Sequence, residues 1–105
     1  MNRLYSVYIT APPNITTDSA VNDVIYGDNV TLRCKVDSQI PIVDAFWDTV
    51  LQGRIHVDAS SLPGQMNYTI ESVTFNHSGV YQCWAVNKLH IDQWVSISLN
   101  VSGGM

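Results

Sequence analysis

The segment His77–Asn87, HSGVYQCWAVN, decides the fold of this chain. A Ser-Gly turn opens it, and a run with no further turn former follows, which is typical of a strand. Successive side chains of a strand point to opposite faces. The two faces of this strand carry Tyr81, Cys83 and Ala85 on one side and Gln82, Trp84 and Val86 on the other. If Cys83 faces the core, Trp84 must therefore face outward.

Four further segments have the same period of two, which predicts strands with one buried face. In NVTLRCKV the inward residues are Val30, Leu32, Cys34 and Val36. In VDAFWDT they are Val43, Ala45 and Trp47, while Phe46 faces outward. In MNYTI they are Met66, Tyr68 and Ile70, and in VSISLNV they are Val95, Ile97, Leu99 and Val101. Turn formers separate the segments, so we predict an all-β fold of two antiparallel sheets packed face to face.

Length and composition exclude several classes of protein. We interpret residues 1–102 of the 105 as a single domain and residues 103–105 as a flexible tail or linker remnant, and we expect a larger parent protein. No apolar run is long enough to span a bilayer, so no direct membrane insertion of this segment is predicted. A formal net charge of -4 with scattered Lys and Arg argues against a nucleic-acid partner. Residues 1–10 lack the apolar core of a secretory signal.

Five N-glycosylation sequons indicate the compartment. Their asparagines are Asn14, Asn29, Asn67, Asn76 and Asn100. The Ser and Thr content of the chain would produce only about one such sequon by chance. The excess favours an oxidising, extracellular setting. The two cysteines alone fit either a free buried pair or a bridge, and the extracellular setting favours a Cys34–Cys83 disulfide.

Together these residues resemble a known family. The pattern consists of Val24, Gly27, Val30-Thr31-Leu32, Cys34, Trp47, Tyr68, Ile70, Val73, Ser78-Gly79, Tyr81, Cys83, Ala85 and Asn87. It is similar to the immunoglobulin superfamily over nearly the whole chain, and its end resembles the Y-x-C-x-A-x-N pattern of the intermediate (I-set) class. The resemblance implies a Greek-key sandwich. It also implies that Trp47 packs against the bridge and that the Tyr81 hydroxyl returns to upstream backbone.

Three residues depart from the family pattern. His77 occupies a position where the family usually has an aspartate paired with an arginine, which puts that ion pair in doubt. His90 occupies a position where the I-set pattern usually has glycine, which suggests a longer hairpin after the Cys83 strand. Trp84 is not part of the motif, so the resemblance does not explain it.

Fragments of catalytic and metal sites occur in the chain, but none is complete. They are His77-Ser78, His56-x-Asp58 and His90-x-Asp92. No G-x-S-x-G elbow exposes a nucleophilic serine, and two ligands are too few for a metal site. We therefore expect no catalysis, no metal and no cofactor.

The outward aromatic residues predict recognition of another protein. Phe46, Trp84 and Trp94 would share one face, because their strands are neighbours in the fold that the resemblance implies. The candidate partner-binding residues are Phe46, Gln82, Trp84, Val86, His90 and Trp94. We interpret the chain as an extracellular module of a cell-surface adhesion or self/non-self recognition receptor that binds a protein, a second copy of itself included. The alternatives are a secreted binding protein and a spacer that binds nothing, whose aromatic face the segment LQGR at 51–54 or a neighbouring domain would cover.

Overall fold

A computed structural model describes residues 11–103 of the chain. Residues 1–10, in which no secretory signal is predicted, and the last two residues of the predicted tail lie outside this range. The eight strands are β1 (Asn14–Thr16), β2 (Val21–Ile25), β3 (Val30–Asp37), β4 (Ile42–Thr49), β5 (Gly53–His56), β6 (Gly64–Ile70), β7 (Gly79–Asn87) and β8 (Asp92–Ser102). Two short 3-10 helices, Ala59–Ser61 and Phe75–His77, lie in the connections that follow β5 and β6. Between residues 11 and 103 no helix is long and apolar enough to cross a bilayer.

The strands form two sheets, which confirms the predicted all-β sandwich. One sheet has the order β1-β3-β6 and the other the order β2-β8-β7-β4-β5. The antiparallel prediction needs one correction, because β2 pairs with β8 in parallel. The chain passes from one sheet to the other between β1 and β2 without reversing direction. β1 is therefore antiparallel to β3, whereas β2 runs alongside β8 in the same direction.

The core between the sheets is built around the disulfide. Cys34 of β3 is bonded to Cys83 of β7, so the bridge links the two sheets. Trp47 of β4 is the cross-strand neighbour of Cys83 and is buried with it. Leu32, two residues before Cys34 on the same face of β3, has no exposed surface. The alternation of apolar residues in the sequence thus reproduces the buried face of β3.

The start of β4 differs from the sequence prediction. Val43, predicted to face inward, is 51% exposed, and Ile42 is buried in its place. The register with β7 shifts here, since Ile42 lies opposite Asn87 and Asp44 lies opposite Val86. A β-bulge of this kind adds one residue to a strand and inverts the alternation on one side of it. The predicted alternation is correct only beyond the bulge.

Two side chains hold the turn that precedes β7. The Tyr81 hydroxyl donates a hydrogen bond to the His77 carbonyl oxygen at 2.6 Å, as the family resemblance implies. His77 Nδ1 accepts a hydrogen bond from the backbone N–H of Thr74 at 2.9 Å, so this side chain caps the 3-10 helix Phe75–His77. Burial raises the pKa of Tyr81 to about 12, and the neighbouring Tyr68 adds to the rise.

We expect Tyr81→Phe to lower the free energy of unfolding by about 1 kcal/mol near neutral pH, because the His77 carbonyl loses its donor. The hydroxyl ionises at lower pH in the unfolded chain than in the folded one. Its contribution to stability is therefore complete below pH 10 and is lost as the pH rises towards about 12. The variant should lack this part of the alkaline loss. Urea unfolding across this pH range measures both effects, with Tyr26→Phe at an exposed ring as the control; equal losses in the two variants would contradict the assignment.

Candidate functional site

A row of four aromatic side chains crosses the outer face of the five-stranded sheet. We call it the aromatic row; it consists of His56 (β5), Phe46 (β4), Trp84 (β7) and Trp94 (β8). Phe46 lies directly opposite both His56 and Trp84, and Trp84 lies directly opposite Trp94. Each residue has the parity that points away from the core, and the strand registers place all four at one level. The sequence pattern and the pairing together therefore build a continuous strip across four strands.

Neighbouring rings of the aromatic row are in contact, and the two pairs that include Trp84 are stacked. The centroids of Trp84 and Trp94 are 4.5 Å apart with an interplanar angle of 20°. Those of Phe46 and Trp84 are 5.7 Å apart at 16°, and those of Phe46 and His56 are 5.7 Å apart at 57°. Aromatic pairs at such distances contribute roughly 0.5–1.5 kcal/mol each beyond the area they bury. The row is consequently ordered before any partner arrives, which reduces the entropy cost of binding.

Phe46 lies on the predicted face, but the expectation that its ring is exposed is wrong. Its exposed fraction is only 5%, because the Arg54 guanidinium lies 4.0 Å above the ring centroid while Trp84 and His56 flank it. Arg54, the last residue of the segment LQGR, thus covers Phe46, as the spacer alternative requires. It leaves Trp94 uncovered, with 44% of its surface exposed. Phe46 is therefore the buried member of the aromatic row, and Trp94 has an exposed ring.

Polar contacts fix the orientation of Trp84. Its indole N–H donates to Oε1 of Gln82 at 3.1 Å, and the amide of Gln82 donates to the Ser96 hydroxyl at 3.4 Å. Trp84, Gln82 and Val86 are all half-buried on this face. The indole N–H is therefore satisfied within the sheet, and a partner meets mainly the ring surface.

Sequence reasoning missed two residues of this face, both on β5. They are Arg54, which lies over Phe46, and His56, whose Nδ1 is 3.2 Å from Oδ1 of Asp44. The segment GRIH has the alternation of a short strand, and that pattern next to the turn at 50–52 was the available signal. The register that sets His56 opposite Phe46 could not be read from it.

The turn between β7 and β8 begins four residues after Trp84 and ends three residues before Trp94. It comprises residues 88–91, and His90 adopts the left-handed conformation with φ 66°, the region that glycine occupies most easily. Asn87 is fully buried and organises the turn. Its Oδ1 accepts hydrogen bonds from the N–H groups of Leu89 at 2.9 Å and Ile91 at 3.1 Å. His90 is exposed at the edge of the face, outside the stacked rings.

The five sequon asparagines are all exposed, and their distribution over the surface is uneven. Asn14 and Asn67 lie on the three-stranded sheet, and Asn29 and Asn76 lie in the connections between strands. Asn100 alone of the five is on the five-stranded sheet, six residues along β8 from Trp94, or about 20 Å. No sequon therefore falls within the aromatic row.

Two residues of the catalytic and metal fragments, Ser78 and Asp58, form hydrogen bonds with neighbouring structure. The Ser78 hydroxyl accepts a hydrogen bond from the Val101 N–H at 2.9 Å and so closes the end of the sandwich. Asp58 accepts from Ser60, which lowers the pKa of the carboxyl through the hydroxyl first and the backbone N–H second. Residues 11–103 contain no cluster of three or more His, Cys, Asp or Glu side chains that could hold a metal ion. A groove of about 320 Å³ between β6 and the turn after β4 is lined by no residue of the aromatic row.

Comparison with known proteins gives a consistent family. A family model described as an immunoglobulin domain matches residues 12–87. The chain is 34% identical over 88 residues to the limbic system-associated membrane protein of Rattus norvegicus, a match that covers 81% of this chain and 25% of the rat protein. It is 35% identical over 82 residues to neuroglian of Drosophila melanogaster, covering 73% of this chain and 6% of neuroglian. It is 31% identical over 84 residues to interference hedgehog of the same fly, covering 79% and 9%. The chain thus spans a quarter or less of the length of these relatives.

Solved structures agree on the fold. A chain in the crystal structure of the titin M10–obscurin-like 1 Ig complex superposes with a TM-score of 0.68 at 20% identity, covering 90% of this chain and 98% of that one. A chain in a structure concerning T cell specificity and the superantigen toxic shock syndrome toxin-1 gives 0.65 at 16% identity, covering 86% and 99%. At such identities the likeness concerns the fold alone. The family model, in contrast, covers well over half of the sequence, and the chain therefore belongs to the immunoglobulin domain family.

Proposed function

We propose that this chain is an extracellular protein-recognition module of a cell-surface adhesion or self/non-self recognition receptor. It binds a protein partner through the outer face of the five-stranded sheet. The observation that carries the proposal is the exposed Trp94 ring, stacked on Trp84 in an ordered aromatic row that contains no glycosylation sequon. Protein interfaces concentrate aromatic side chains at their centres, whereas scattered single aromatics carry no such meaning.

The extracellular setting is supported by chemistry and by a relative. The Cys34–Cys83 disulfide and five exposed sequon asparagines suit an oxidising compartment in which glycans are added. The rat relative is named as a membrane protein, and the chain corresponds to a quarter of its length. The parent of this module is accordingly proposed to be anchored at the cell surface, with the module outside the membrane.

We expect Trp94→Glu to weaken partner binding about 30-fold, because burying one such ring contributes about 2 kcal/mol and a carboxylate on the face must be desolvated. The module is displayed on non-adherent cells, and aggregation of those cells and their binding to a panel of cell-surface ectodomains are measured. The same substitution removes the stack on Trp84 but leaves the core intact, so it should lower the melting temperature by only about 5–10 °C and leave the module folded.

Gln65→Glu is the matched control, since Gln65 is exposed on β6 in the opposite sheet and belongs to no glycosylation sequon. It introduces the same charge at a distance from the aromatic row and should leave binding intact. If Trp94→Glu and Gln65→Glu bind as well as the unaltered protein, the face is not the contact surface, and the spacer interpretation is favoured instead.

A further inference from the structure

The Arg54 side chain is presented to solvent rather than used within the domain. Its cross-strand neighbour on β4 is Asp48, the obvious ion-pair partner. The guanidinium lies instead over the Phe46 ring at 4.0 Å. Among residues 11–103, Arg33 pairs with Asp18 and His56 Nδ1 lies 3.2 Å from Asp44 Oδ1, and neither contact includes Arg54. An arginine stacked by its face keeps the N–H groups at its edge free, already oriented for a carboxylate.

The same face carries carboxylates that the domain leaves without a cation. Asp44 is occupied by His56, whereas Asp48 and Asp92 are exposed and form no ion pair within the described part of the chain. Asp92 lies on β8, two residues before Trp94 and opposite Val86 of β7. The face therefore has a free cation on β5, at one side of the aromatic row, and a free anion on β8, at the other.

We propose, building on the function proposed above, that the partner is a second copy of this chain, and that Arg54 of each copy pairs with Asp92 of the other. In a two-fold symmetric contact the same patch serves both copies, so it must contain both members of each complementary pair. The arginine and aspartate on opposite sides of the row meet this requirement.

Strand spacing places the symmetry axis. Three strand intervals separate β5 from β8, about 14 Å, and Asp92 lies about 7 Å along β8 from Trp94. Arg54 lies about 7 Å along β5 from His56, on the other side of the aromatic row, so the midpoint between Arg54 and Asp92 falls between Phe46 and Trp84. A two-fold axis that lies in the plane of the contact, passes through this midpoint and is perpendicular to the line from Arg54 to Asp92 exchanges the two charged ends. The strands of the two copies then cross, and the Trp84 side chains of both copies come together. The result is an aromatic centre with a charged rim.

Asp48 does not satisfy the same geometry. It lies beside Arg54, on the same side of the aromatic row. An axis that paired Arg54 with Asp48 of the other copy would pass through that edge of the sheet and leave Trp94 outside the contact. Of Asp48 and Asp92, only Asp92 keeps the exposed Trp94 inside the contact.

The contact is small, so self-association is weak. Four strands and a length of about 20 Å define roughly 400 Å² of plane on each copy, below the 800 Å² per partner of standard interfaces. Each copy also carries a formal net charge of -4, and this general repulsion is screened at physiological salt. Self-association is therefore measured at about 0.15 M salt and at protein concentrations up to about 1 mM, by sedimentation equilibrium.

The decisive experiment is a charge exchange between two variants. Arg54→Asp and Asp92→Arg should each weaken self-association at least tenfold, since each homodimer brings like charges together twice. An equimolar mixture of the two variants should recover the dimer, because both contacts in the mixed pair join an aspartate to an arginine. Recovery cannot come from a merely structural effect, which would persist in the mixture. Thermal melting confirms that both variants are folded.

Three results would overturn the proposal. A mixture as monomeric as either variant alone would exclude the Arg54–Asp92 pairing. Asp48→Arg is the matched control and should self-associate as well as the unaltered protein; if it is monomeric alone and recovers the dimer when mixed with Arg54→Asp, the arginine pairs with Asp48 and not with Asp92. An unaltered protein that remains monomeric at about 1 mM would exclude a second copy as partner. In that last case, binding to another ectodomain that Trp94→Glu abolishes would still support the recognition function.

Discussion

Replacing Cys34 and Cys83 together by alanine is expected to lower the free energy of unfolding by about 4 kcal/mol. The bridge closes a loop with a sequence separation of 49 residues and so restricts the unfolded chain. Both sulfurs are fully buried between the sheets, so the variant also loses core packing. Small domains have a total stability of roughly 5–15 kcal/mol, and the loss is a large share of it.

Urea unfolding of the variant and of the oxidised protein measures the difference. Adding a reductant to the unaltered protein is the control, since it breaks the same bond without removing the sulfur atoms. A loss below about 1 kcal/mol in both cases would contradict the entropic explanation and show that packing alone holds the sheets together.

Asn87→Ala is expected to cost about 3 kcal/mol, although it removes a polar side chain from the core. The side-chain oxygen Oδ1 of Asn87 accepts hydrogen bonds from the N–H groups of Leu89 and Ile91. Its side-chain Nδ2 donates to the backbone carbonyl of Ala11 at 2.9 Å. Alanine would remove the partner of these backbone groups and empty a fully buried site, at about 1–3 kcal/mol for each backbone group that stays buried. Asn87 also ties the start of the described chain to the turn after β7, so the variant should loosen both.

Denaturant unfolding gives the overall loss, and hydrogen exchange locates it. The amide protons of Leu89 and Ile91 should exchange faster in the variant, while those in the centre of β3 should change only as much as global stability does. Asn100→Ala, at an exposed asparagine on β8, is the control and should cost less than about 0.5 kcal/mol. Unchanged exchange at Leu89 and Ile91 would contradict the role of Asn87.

The sequence predicted features that depend on local alternation. Cys34, Trp47 and Cys83 are buried where a period of two places them, and the outward parity of Trp84 and Trp94 is correct. Alternation follows from the geometry of a single strand, so no knowledge of neighbouring strands is needed.

Features that depend on more than one strand were not predictable in this way. Val43 is exposed because a bulge in the pairing with β7 inverts its parity. Phe46 is buried because Arg54, eight residues later, lies over its ring rather than against Asp48. Both outcomes are set by register and by the conformation of a long side chain, which a single-strand pattern does not contain.

The three-stranded sheet has a consequence for the solubility of the protein. Its order leaves β1 and β6 as edges, and an edge strand offers unpaired backbone groups to which another chain can add. Each of these strands carries an exposed sequon asparagine, Asn14 on β1 and Asn67 on β6. Glycans attached there would stand beside both edges and obstruct strand addition. The same asparagines that indicate an extracellular setting would then also reduce aggregation through the strand edges. Protein made without glycosylation would lack this protection.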